Sequence, residues 1–107
     1  MSASKTALDR ATSPLAKPPY QAQLMALFVS AYAPTKRALM QAWSAQDLPA
    51  QRLAVHKLRG SLAWLGQPAL LAQAAAFEAR LDAHQPLETA AFLAWLKDLD
   101  RLVEIQP

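Results

Sequence analysis

The chain has 107 residues, a length for one domain, and its 53% apolar and 18% charged composition is that of a folded protein, which excludes overall disorder. It contains no cysteine, which removes disulfides, zinc–thiolate sites and thiol catalysis. The net charge of +3 hides an asymmetry: residues 1–60 hold eight Lys/Arg against two acids, and residues 61–107 hold three against six.

A positive half favours an acidic partner surface or a phosphate. Its basic residues are scattered rather than clustered and no nucleic-acid motif accompanies them, so nucleic acid is not the expected partner. No apolar run approaches the ~20 residues needed to span a bilayer, and MSASKTALDR lacks a continuous apolar core. A cytoplasmic protein without membrane contact is expected. Alanine and leucine dominate the apolar content and only two glycines occur, so the fold class expected is all-α.

Residues 1–18, with SPLAKPP at their end, read as a flexible tail, and residues 19–107 as the folded domain. Leu24, Phe28, Ala31, Thr35, Leu39 and Ala42 recur in steps of four and three, the stripe of a first helix. Pro34 interrupts it at a cost of ~3 kcal/mol in a regular helix interior. The phase survives the proline, so one kinked helix is expected, with two shorter helices as the alternative. Asp47 and Pro49 then fit an N-cap and a first turn, opening a second helix that should run to Leu65 and stop at Gly66. Pro68 opens a third, lined by Leu70, Ala74, Phe77 and Leu81, which DAHQP ends. A fourth should start near Leu87 and bury Phe92, Trp95, Leu96, Leu99 and Val103. Four amphipathic helices with short connections predict an antiparallel four-helix bundle. One clear apolar stripe per helix predicts a monomer.

The stretch AVHKLRGS raises the functional question, because a helix-interior glycine sits one turn from His56. At 100° per residue, Leu58, Leu62 and Leu65 fall about 180–240° from His56, so the histidine faces away from the core stripe. Arg52 and Arg59 flank it at about −40° and −60°, Gly60 and Ala63 at about +40° and −20°, and Lys57 stands on the shoulder at about +100°. A plain surface histidine is the alternative, but small residues one and two turns onward leave this imidazole edge open between cations. Metal binding would need a second ligand at helical spacing, and positions 52 and 60 are Arg and Gly, so no metal site is expected. No oxyanion loop accompanies Ser61, which disfavours a hydrolase. A nucleophilic nitrogen among cations suits phosphoryl transfer, where positioning and charge stabilisation supply most of the catalysis.

His56, Leu58, Arg59, Gly60, Ser61, Leu65 and Gly66 together resemble the motif of the histidine-containing phosphotransfer domain of bacterial phosphorelays, and AFEARL resembles the family's next helix. The likeness spans about residues 20–104. It implies a phosphocarrier without an ATP site or autokinase activity. His56 would accept a phosphoryl group from a receiver-domain aspartate and pass it to another receiver, in a response regulator or a hybrid sensor kinase. No cofactor of its own is implied, since the receiver supplies Mg²⁺. Arg59 stands where the family usually has Lys and, with Lys57, would stabilise the phosphoryl group. Glu78 matches the position that orients the histidine. Gly60, Arg52 and Ala63 would give the partner access, while Leu53 and Trp64, at about +60° and +80°, would form an apolar docking rim or serve packing. His84 reads as a solvent residue. A non-catalytic module that binds a receiver without transfer is the competing reading.

Overall fold

The computed structural model describes residues 20–105, in which four helices and no strand follow one another. They are α1 (Tyr20–Ser44), α2 (Leu48–Leu65), α3 (Pro68–Asp82) and α4 (Thr89–Glu104). The tail expected over 1–18 lies outside the described residues, as do positions 19, 106 and 107 of the expected bundle. Among the described residues no helix is long and apolar enough to cross a membrane.

Local chemistry explains the ends of α2. The Asp47 side chain accepts from the Ala50 N–H at 3.1 Å, and Pro49 sits in the first turn, where its missing N–H costs nothing. Gly66 closes the helix in the left-handed region at φ 67°, a conformation costly to any residue with a Cβ. Pro68 then opens α3 two residues later. These caps set the His56 helix and the Glu78 helix side by side across a two-residue turn.

Helix α1 runs unbroken through Pro34, which removes the two-helix alternative. Pro34 and Ser30 are both exposed, so water can satisfy the Ser30 carbonyl that the proline leaves without a donor. Beside it, the Thr35 hydroxyl donates to the Ala31 carbonyl at 2.9 Å.

Neighbouring helices run antiparallel. Ala42 meets Gln51 near the first turn, His56 and Arg52 of α2 meet Glu78 and Asp82 of α3, and α4 returns against α1 through Tyr32–Asp100 and a Trp43–Phe92 stack at 4.2 Å. Trp95, Phe92, Leu39, Leu62, Leu65, Leu99 and Val55 are almost wholly excluded from water. Burying an aliphatic or aromatic side chain of this kind contributes about 1.5–3 kcal/mol. Trp95 also sets its ring edge-on to Phe77 at 5.1 Å and donates its indole N–H to the Leu70 carbonyl at 3.1 Å. Its polar atom is therefore satisfied inside the core.

Two expectations about the core need correction. Ala31 is exposed and Tyr32 is buried in its place, because the Tyr32 hydroxyl finds a partner in Asp100 at 2.6 Å. Val103 is only half-buried, and Leu102 takes the inward position. The fourth helix, expected to start near Leu87, begins at Thr89, since Glu88 is still extended (ψ 125°). Leu87 remains buried as a plug from the preceding loop, and His84 is exposed in that loop at φ 59°.

Candidate functional site

The site sits on the α2–α3 seam. His56 stands on the middle turns of α2 with its side chain 59% exposed, while Ala54, Val55, Leu58 and Leu62 on the opposite arc are buried. The core stripe fixes the helix rotation, and that rotation turns the imidazole outward.

From α3, Glu78 accepts a hydrogen bond from His56 Nδ1 on Oε2 at 2.9 Å. Arg59 Nη1 donates to Oε1 of the same carboxylate at 3.0 Å, and Arg52 Nη2 lies 3.3 Å from Oε2. The Glu78 side chain is only 7% exposed, so three groups from α2 converge on one buried acid. Burial alone would push its carboxyl up, but the hydrogen bonds from Arg59 and His56 and their charges outweigh that and hold it below the usual carboxylate range. Glu78 is therefore a carboxylate near neutral pH and can only accept. Nδ1 must then carry the hydrogen, which leaves Nε2 with its lone pair toward solvent whenever the ring is neutral.

Gly60 lies one turn beyond His56 on the same open side, and a Cβ built there meets nothing within 4 Å. No packing contact of the described chain requires glycine at this position. With His56, Arg59 and Ala63 of α2 and Leu71, Ala72 and Ala75 of α3, it lines an open, mostly apolar groove of about 480 Å³. Small side chains thus continue along both walls from the imidazole edge.

The expected docking residues divide between two faces. Gly60 and Ala63 share the α2–α3 groove with His56. Leu53 and Lys57 instead border a recess with Pro34 and Ala38 on the α1 side, and Trp64 faces Leu27 and Ala31. Leu53 and Trp64 are 56% and 47% exposed, which gives them an outer surface rather than a core packing role. Arg52 is drawn toward α3, where its Nε donates to Asp82. Asp82 is the site residue that reading α2 alone overlooks. A signal existed: Glu78 and Asp82 are four apart on one helix, matching His56 and Arg52 on an antiparallel neighbour.

Among the described residues no cluster of His, Asp and Glu is arranged to hold a metal ion. What the arrangement can do is present an oriented, accessible imidazole nitrogen beside guanidinium charge. An exposed imidazole nitrogen of this kind, on the seam of a helical bundle, is suited to phosphoryl transfer. The family model described as Hpt domain matches residues 23–105, and the chain belongs to that family. Comparison with curated proteins and with solved structures gives no significant match. Hpt domains are phosphocarriers of histidine phosphotransfer in phosphorelays, and their partners are the receiver domains of two-component systems.

Proposed function

We propose that His56 accepts a phosphoryl group from the aspartyl phosphate of a receiver domain and passes it to the aspartate of another. The observation that carries this reading is the His56 Nδ1–Glu78 Oε2 hydrogen bond at 2.9 Å, with the other ring nitrogen left free beside the open Gly60 position. Nε2 attacks phosphorus in line with the breaking P–O bond. A P–Nε2 bond forms, and the electron pair of the broken bond stays on the receiver's carboxylate. The hydrogen on Nδ1 need not leave. The phosphorylated ring is a cation, and the Glu78 carboxylate beside Nδ1 balances it. That cationic ring is also a good leaving group, which suits onward transfer rather than storage.

Arg59, which lines the groove, is the proposed contact for the phosphoryl oxygens, with Lys57 approaching from the α1 side. A guanidinium presents two donors at fixed geometry, so Arg59 can hold two oxygens at once where an ammonium offers a point charge. Mg²⁺ and the remaining catalytic groups belong to the receiver. The α2–α3 groove would receive an apolar element of the receiver, and Leu53 and Trp64 would meet its outer edge. The working unit is the monomeric bundle.

The test is transfer from a panel of aspartyl-phosphorylated receivers to the wild type and to His56→Gln. A wild-type label that is stable to base, labile to acid and absent from the variant is the expected result. Receiver binding without a label in the wild type, retained in His56→Gln, would instead make the chain a non-catalytic interaction module.

A further inference from the structure

At rest the Glu78 carboxylate holds two arginines where charge balance needs one. Arg59 occupies Oε1 at 3.0 Å, and Arg52 reaches Oε2 at 3.3 Å beside the His56 hydrogen bond. Their anchoring differs. Arg52 is also bonded through Nε to Asp82, whereas Arg59 has no second acidic partner among the described residues. A nearly buried carboxylate stripped of its cation is strongly disfavoured. Until the P–N bond forms and the ring itself becomes a cation, Arg59 can therefore turn to an arriving phosphate at low cost only if another cation stays behind.

We infer that Arg52, clamped by Asp82, is a positioning residue that keeps Glu78 ionised and aligned on His56 Nδ1 while Arg59 leaves Glu78 for the phosphoryl group. The inference rests on the phosphocarrier reading and adds a division of labour between the two arginines. Arg59 is the exchangeable partner, and Arg52 with Asp82 is the fixed one. The helix register supports it, since Arg52 precedes His56 by one turn and Asp82 follows Glu78 by one turn, so the clamp lies next to the nucleophile without covering Nε2.

The Arg59→Gln variant mimics the state in which Arg59 has left, and ring-nitrogen NMR of His56 at pH 8 reads the tautomer without any phosphate. In Arg59→Gln the Nδ1–H tautomer should stay near its wild-type fraction. In the Arg52→Gln, Arg59→Gln double variant that fraction should fall about twofold or more, and Asp82→Asn on the Arg59→Gln background should give an intermediate loss. Arg52→Gln alone should also slow labelling by phosphoramidate, a small-molecule donor, by about 5–10-fold, with partial rescue by Arg52→Lys. A double variant with the same tautomer fraction as Arg59→Gln would overturn the inference. So would an Arg59→Gln protein that has already lost the tautomer while Arg52 is intact. Absence of wild-type labelling by receivers and by phosphoramidate is a different failure, that of the carrier reading, and leaves the ring spectrum to decide the role of Arg52. Both arginines are more than two-fifths exposed, and circular dichroism of each variant checks that the bundle stays folded.

Discussion

Glu78 of α3 and His56 of α2 are joined by a 2.9 Å hydrogen bond in which the acceptor is nearly buried and the donor ring largely exposed. In the proposed phosphocarrier, orientation comes from the buried partner and reactivity from the exposed one. Replacing Glu78 by alanine should remove the acceptor of Nδ1–H and let both tautomers of His56 compete. Labelling of His56 is expected to drop about tenfold. Stability should fall by only ~1–2 kcal/mol, because Arg52 and Arg59 can return to water. Parallel transfer assays and urea denaturation separate the two effects, and a variant labelled at the wild-type rate would remove Glu78 from the mechanism.

If Gly60 serves partner access, as proposed, its substitution should separate binding from folding. A Cβ at this position meets nothing within 4 Å, and alanine is the better helix residue. Gly60→Ala should therefore raise unfolding stability by up to ~1 kcal/mol. Gly60→Gln should also fold, yet its side chain would stand in the groove beside His56 and lower receiver-dependent labelling severalfold. Labelling by phosphoramidate should change far less. A destabilised Gly60→Ala protein would show that the glycine serves internal packing instead.

Two carboxylates set the acid response. For both Glu78 and Asp100, burial alone raises the carboxyl, but hydrogen-bonding partners win and hold it below its usual value. Those partners are Arg59 and His56 for Glu78, and Tyr32 and Lys36 for Asp100. The native state then binds fewer protons than the unfolded chain, so these groups stabilise above the unfolded carboxylate values of about 4 and lose that contribution as pH falls through the lower folded values. Urea midpoints should be level from pH 7 to about 5 and decline below about 4. A Glu78→Gln, Asp100→Asn double variant should start lower and decline less. An equal acid slope in the variant would show that other groups govern acid unfolding.

Trp95 is the core residue whose loss should be felt most. It is fully buried, meets Phe77 edge-on and donates to the Leu70 carbonyl. Trp95→Ala should cost ~3–5 kcal/mol, a large share of the stability of a small domain. Thermal unfolding checks this, and a loss below ~1 kcal/mol would mean that the α3–α4 seam repacks around the void.

Local chemistry made much of this fold legible in the sequence. Asp47, Gly66 and Pro68 act within a few residues of themselves, so the bounds of α2 and the start of α3 follow from caps alone. The outward aim of His56 follows from the leucines of its own helix. What one helix cannot reveal is its register against another. Tyr32 displaces Ala31 from the core because Asp100, 68 positions later, supplies its hydroxyl with a partner. Asp82 matters because α3 runs antiparallel to α2 at a register that sets it opposite Arg52. The split of the residues expected to dock a partner has the same origin: Leu53 and Trp64 share a broad arc with His56, and only the positions of α1 and α3 decide which recess each borders.

The central claim is that Glu78 reserves Nδ1 and leaves Nε2 of His56 as the nucleophile. Phosphorus and nitrogen NMR of the ¹⁵N-labelled protein, phosphorylated by a receiver, tests it most directly. The account predicts one phosphohistidine, with phosphorus coupled to Nε2 of His56 and the hydrogen retained on Nδ1. Phosphate on Nδ1, or on His84 in the exposed loop, would contradict it.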